Sequence, residues 1–277
     1  MFISDYATIL YLDLHVRGEN LLRDCRMIEC KNCGTAVNDK YCPHCGQKAG
    51  VKRISLGDLL KDLPHAIFHV DNGILYNVHQ LFKRPGAAIN DYMNGKRKPF
   101  YHPASFLLIS LILNFLIVKI IDLHFYDGDE LTTMDAITSK AILDYDAMQW
   151  WFLEHTYIYI LLAIPASALF LFCIFHLCKK EFNIAESVVV VLFTIAQGVL
   201  IQSFIYASFG WVKSGPFIRT VETFNICILV TYASWVIYQL LPEKKSKAVR
   251  TVTGFIAGLG LAVVWIASAY GLYLVIG

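Results

Sequence analysis

The chain has 277 residues, 56% hydrophobic and 17% charged, with a mean hydropathy of +0.51 and a formal net charge of +2. So much apolar sequence exceeds the needs of one soluble core and excludes a protein that is only a soluble globular domain. The net charge is uninformative, because it averages an acidic loop with several basic segments.

Residues 1 to 26, MFISDYATILYLDLHVRGENLLRDCR, have no basic n-region, and Asp13 interrupts their apolar stretch, which excludes a secretory signal. Met27 stands three residues before Cys30 and reads as the natural start, leaving residues 1–27 as an upstream extension or a disordered leader.

Residues 28–50 contain CKNCGTAVNDKYCPHCGQ, in which Cys30-x2-Cys33 and Cys42-x2-Cys45 are each followed by glycine. A CxxC turn offers two sulfurs to one metal, and the glycine relieves the backbone where the knuckle turns back. Two such knuckles supply four thiolates in a tetrahedron, the donor set of a zinc ribbon. Iron is the competing metal at an S4 site, and two disulfides are the competing chemistry if the module lies outside the cytoplasm. With four sulfurs bound, no position remains for water, so the expected zinc is structural. It would supply ~10–16 kcal/mol to a module too small to fold on its own core. His44 lies between two ligands and reads as a surface side chain, while Cys25, Cys173, Cys178 and Cys227 fall outside the pattern.

Residues 51–103 read as an amphipathic segment along the cytoplasmic face. Leu56, Leu59, Leu60, Leu63, Ile67, Val70 and Ile74 form a helical stripe interrupted by Pro64, so two short helices are expected. A second series, Ile74 to Phe82, ends at Pro85–Gly86. His65 and His69 are spaced i, i+4, with Asp62 a turn earlier, and form a candidate second metal site. Interfacial histidines are the plainer alternative. Lys96, Arg97 and Lys98 are candidates for contact with anionic lipid or phosphate, unless they serve only to orient the first membrane helix.

The succession of CxxCG and CPxCGQ, a Pro-Gly turn at Pro85 and Gly86, YMNGKRKPFYHP from Tyr92 to Pro103, and then apolar spans resembles bacterial membrane proteins of domain of unknown function family 3667. The resemblance implies an architecture and carries no activity.

Residues 104–277 break into five apolar runs, at about 104–125, 156–177, 184–207, 221–241 and 252–276. Each is long enough to cross a bilayer core, which needs ~20 helical residues. In lipid the backbone must satisfy itself, so the expected fold is an all-α polytopic bundle of five transmembrane helices carrying an N-terminal zinc ribbon and interfacial helices. Basic residues cluster before the first run (Lys83, Arg84, Lys96, Arg97, Lys98), between the second and third (Lys179, Lys180), and between the fourth and fifth (Lys244, Lys245, Lys247, Arg250). These share one side only if the N-terminus is cytoplasmic and the C-terminus outside, here across a bacterial cytoplasmic membrane. The acidic outer loop, with Asp127, Asp129 and Glu130, reads as solvated carboxylates, and Trp150, Trp151, Tyr157 and Tyr159 as an interfacial belt.

Within the runs, Asn114, Gln197, Gln202 and Asn225 need hydrogen-bond partners, supplied by neighbouring helices or by a solute path. Glu186 reads as the capping partner of Asn183. Gly254, Gly258 and Ala262 form a small-residue face for helix packing. No recognised catalytic signature is present, which argues against an enzyme. The favoured reading is a membrane protein whose ribbon binds a cytosolic or membrane protein partner. A transporter or channel for a small solute or lipid, with the ribbon as regulator, is the alternative. An enzyme using His65 and His69 is the third. Lys31, Lys40 and Lys48 with Tyr41 alone to stack a base make too little track for nucleic acid.

Overall fold

The computed structural model describes residues 28–57, 59, 73–121, 140, 143–144, 147–148, 151, 155–212 and 214–276. They fall into two compact units. The first holds the residues up to Arg53 together with Asn94–Pro99, and the second holds Ile54–Met93 and Phe100–Gly277. The YMNGKRKPFYHP motif is therefore divided, its central six residues going with the ribbon and its aromatic flanks with the helices. The leader 1–27, the pair His65 and His69, and the acidic sequence Asp127–Glu130 lie outside the described residues.

In the first unit β1 (Ile28–Glu29) pairs antiparallel with β2 (Ala36–Val37), in the register Ile28 to Val37 and Glu29 to Ala36. A single bridge joins Tyr41 to Lys48. The buried core is Cys30, Val37 and Cys42, with Cys45 and Ala49 against it. Three buried residues cannot offset the conformational entropy of ordering this segment, so cross-linking at the sulfurs has to supply the stability.

The second unit is helical: α1 (Gly73–Lys83), α2 (Pro85–Met93), α3 (Pro103–Ile121), α4 (Thr156–Leu177), α5 (Ile184–Phe209), α6 (Gly215–Leu240) and α7 (Lys247–Ile276). Pro85 and Gly86 both end α1 and begin α2. Proline has no N–H to lose at a first helical position, and its fixed φ suits one. The next two amides, of Gly86 and Ala87, donate to Gln239 Oε1 of α6 at 3.0 and 3.3 Å, so one helix caps another across the fold. The close approach requires glycine, since a Cβ at Gly86 would stand 2.8 Å from the Val236 carbonyl oxygen.

Among the described residues four helices, α3, α5, α6 and α7, are long and apolar enough to cross a membrane. The fifth, α4, has 22 residues, and its apolar stretch among the described residues runs over Leu162–Leu177. The outward faces of these helices carry large apolar side chains, such as Ile120, Phe224 and Leu274, which is the pattern for elements whose solvent is lipid. Packing runs α3 on α5, α6 on α7, and α4 on both α5 and α7. Two helices begin earlier than their hydropathy suggests, at Gly215 and Lys247, because charged residues near their starts, Arg219 and Glu222 in one and Lys247 and Arg250 in the other, lower the local hydropathy.

The N-terminus of α5 carries a complete capping box. The Glu186 amide donates to Asn183 Oδ1 at 2.7 Å, and the Asn183 amide donates to Glu186 Oε2 at 2.9 Å. Asn77 of α1 is fully buried and locked reciprocally to Tyr101, donating from Nδ2 to its carbonyl at 3.2 Å and accepting its amide at 3.0 Å. Around this lock Tyr92, Phe100, Phe106 and Phe193 pack edge-to-face or tilted, with ring centroids 5.2 to 6.4 Å apart.

Candidate metal centre and its basic loop

The two knuckles repeat one backbone pattern. In the first, the Gly34 amide donates to the Cys30 carbonyl at 2.8 Å and the Cys30 amide donates to Thr35 at 2.9 Å. In the second, the Gly46 amide donates to the Cys42 carbonyl at 2.8 Å and the Cys42 amide donates to Gln47 at 2.7 Å. Gly34 and Gly46 have φ of 76° and 71°, the left-handed region that the turn back demands and that favours glycine.

These turns bring the four Sγ atoms of Cys30, Cys33, Cys42 and Cys45 within 4.8 Å of one another. Cys30 and Cys45 stand 3.6 Å apart, and Cys33 and Cys42 3.5 Å. Tetrahedral zinc with Zn–S bonds of ~2.3 Å needs sulfurs ~3.8 Å apart, so the cage already has the size of an S4 metal site. No disulfide forms among the described cysteines. Thr35 hydrogen bonds, from both side chain and backbone, hold the Cys33 thiol down to about 5. Against the backbone bonds of Cys45 and His44, burial and the bonds to Cys33 and Cys45 push the Cys42 thiol, 3.5 Å away, up to about 11. His44 is exposed beside the cage.

Gln47, the residue after the second knuckle, is buried and reaches into Asn94–Pro99. Its Nε2 donates to the Gly95 carbonyl at 2.8 Å, and its Oε1 accepts the amides of Arg97 and Lys98 at 3.0 and 3.1 Å. Arg97 is half-buried and donates from Nη2 to the Lys52 carbonyl at 2.7 Å. Gly95 has a φ of +107° and lies against the Lys31 side chain, so another residue there would be strained twice over. Lys96 and Lys98 are exposed. The loop read from sequence as a candidate contact for anionic lipid or phosphate is thus also a built part of the ribbon.

In the helical unit, Gly254 and Gly258 lie against α6. A Cβ at Gly254 would stand 2.8 Å from the Ser234 carbonyl oxygen, and one at Gly258 would stand 2.9 Å from that of Val230. Ala262 instead faces a cavity. Asn114 Nδ2 donates to Ser203 Oγ at 3.0 Å, tying α3 to α5. Gln202 Nε2 donates to the Tyr206 hydroxyl at 3.0 Å, and that hydroxyl donates to Glu222. Gln197 and Asn225 are fully buried.

Residues 71–115 match the model of a family described as a protein of unknown function (DUF3667), in agreement with the resemblance read from the sequence. The matched region takes in α1, α2, the basic loop and the first part of α3. No curated protein and no solved structure matches the chain.

Proposed function

We propose that this chain is an integral protein of a bacterial cytoplasmic membrane whose zinc ribbon is a cytoplasmic protein-interaction or regulatory module. The observation that carries the reading is the sulfur cage. Four sulfurs fill a tetrahedral site, which leaves the metal no open position for chemistry and makes it a scaffold for the surface around it. That surface includes exposed Tyr41, Lys96 and Lys98. The membrane face of the proposal counts α4 as a fifth span, which puts every basic segment on one side with the N-terminus inside and the C-terminus outside. Lys96 and Lys98 then face anionic headgroups, at ~1 kcal/mol each near such a surface.

The test is a crosslinked pull-down from native membranes, run with the wild type and with Cys30→Ser/Cys42→Ser, alongside zinc analysis of the purified proteins. One zinc per chain in the wild type, absent from the variant, with a partner lost in parallel, supports the module. Zinc retained by the variant overturns the metal site. A partner list unchanged by its loss overturns the interaction role.

A further inference from the structure

The long helices enclose a cavity of about 300 Å3, lined by side chains of α3 to α7. Along α5 it extends from Val191 to Gln202, about 16 Å at the helical rise, which leaves a section of roughly 20 Å2. That is the section of one extended alkyl chain. The cavity opens where antiparallel α6 and α7 part. At Gly258 a Cβ would stand 2.9 Å from the Val230 carbonyl oxygen, so the two backbones touch there. Beyond this contact Ile226 of α6 and Ile266 of α7 line the cavity while being 47% and 65% exposed. In a bilayer the mouth therefore opens sideways, to hydrocarbon.

No charged side chain lines the cavity among the described residues. Three of its polar groups have spent their donors. The Thr194 hydroxyl donates to the Val190 carbonyl, the Tyr232 hydroxyl to the Leu81 carbonyl, and the Trp265 indole N–H to Ser167 Oγ. Two amides remain. Asn114 commits one N–H to Ser203 and Gln202 one to Tyr206. Each keeps a second N–H and a carbonyl oxygen with no further partner among the described residues. Both amides stand at one end of the cavity, the end with the mouth. Asn114 is bonded at residue 203 of α5, and the Tyr206–Glu222 hydrogen bond sets Gln202, one turn back, level with Ile226 of α6. The site is thus amphipathic along its length, with donors and acceptors at the mouth and apolar walls behind.

This lining discriminates among heads. A charged head would enter lipid-embedded helices with no counter-charge in the cavity. A bare hydrocarbon chain would leave two donors and two acceptors facing it unpaired. A hydroxyl donates and accepts through one atom, and so answers both functions of a primary amide. We propose that the cavity binds a neutral single-chain amphiphile, a long-chain alcohol in chemical class. Its hydroxyl lies between the Asn114 and Gln202 amides and its chain runs along α5 toward Val191. At ~30 Å3 for each water-sized group, 300 Å3 holds about ten such groups, and this sets the chain length.

The experiment uses the full chain in nanodiscs of zwitterionic lipid. Three probes share a chain of about ten carbons carrying a diazirine and end in a hydroxyl, its methyl ether or a carboxylate. A fourth is a phospholipid with the same diazirine in one acyl chain. After irradiation, labelling at the lining residues is divided by labelling at Leu274 and Val275, which are exposed on the outer face of α7, so that partition into the bilayer cancels. The ratio for the alcohol is expected to exceed those for the other three probes at least fivefold. Ala262→Phe, which fills the cavity, should remove this excess, and Ala262→Leu should remove part of it. Gln202→Met should at least halve the alcohol excess while leaving the ether ratio as in the wild type. No probe labelling the lining above the outer face, the result if water alone occupied the cavity, overturns the site. So does an alcohol ratio unchanged in a monodisperse Ala262→Phe or Ala262→Leu. An alcohol ratio equal to that of the ether, the carboxylate or the phospholipid, or an excess unchanged in Gln202→Met, overturns the hydroxyl head.

Discussion

Gln47 is the residue on which the ribbon's design turns. Its backbone carbonyl closes the second knuckle, and its side chain holds Asn94–Pro99 through three hydrogen bonds. At ~1 kcal/mol net for each hydrogen bond, Gln47→Ala weakens the attachment by about 2–3 kcal/mol. Loop opening should then increase 30-fold or more, read as faster tryptic cleavage after Lys96 and Arg97 while zinc content stays at the wild-type level. Gln47→Glu retains the two acceptor bonds but sets an oxygen against the Gly95 carbonyl, and its cleavage rate should fall between the two. Equal rates in all three proteins would mean that the glutamine does not hold the loop. Because the knuckle positions Gln47, chelating the metal from wild-type protein should expose the same two bonds, and restoring zinc should protect them again. The cysteine cage could be read from sequence, since CxxC spacing is local. The clamp could not, since it joins residues 48 to 51 positions apart and a glutamine after a knuckle looks like any surface glutamine.

The same limit applies to whole elements. The capping box of α5 lies within four residues and was readable from Asn183 and Glu186, whereas the cap of α2 comes from Gln239, about 150 positions away. Removing that cap with Gln239→Ala leaves two amides without their acceptor and should cost about 1 kcal/mol, the usual loss for an N-cap, measured as a lowered Tm in detergent. Helix α7 offers an internally controlled test. Gly258 sits against α6 so closely that a Cβ would stand 3.1 Å from the Ser234 amide nitrogen, while a Cβ at Gly271 meets nothing within 4 Å. Both glycines are in one helix and carry the same intrinsic propensity, so Gly258→Val and Gly271→Val differ only in packing. The first should destabilise by several kcal/mol or prevent a monodisperse protein, and the second should fall within ~0.5 kcal/mol of wild type. Similar thermal stability for the two would remove close backbone contact as what joins α6 to α7. The small-residue spacing was visible in the sequence. That Gly254 and Gly258 pack while Ala262 faces a cavity was not, because periodicity gives the face of a helix but not the level at which two helices diverge.

For the whole molecule, the open quantity is the number of crossings, and with it the side on which each loop lies. Hydropathy and the described helices agree on α3, α5, α6 and α7, and the reading of five depends on α4, whose 22 residues include Pro165. A proline in lipid is tolerated where neighbouring helices satisfy the freed carbonyl, and α4 packs against both α5 and α7. The charges bear on the count independently. If α4 did not cross, Lys179 and Lys180 would lie on the side opposite Lys96, Arg97 and Lys98, and the basic loop between α6 and α7 would move with them. Five crossings with the N-terminus inside put the C-terminus outside, and four return it to the cytoplasm. Fusing alkaline phosphatase or green fluorescent protein after Gly277 separates the two, because the phosphatase is active only when exported and the fluorescent protein, sent through the general secretory route, only when retained. Five crossings predict phosphatase activity without fluorescence, and the same fusions made in the Lys244–Lys247 loop should give the reverse. Fluorescence at the C-terminus would withdraw α4 from the span count and, with it, the cytoplasmic placement of the later basic loops.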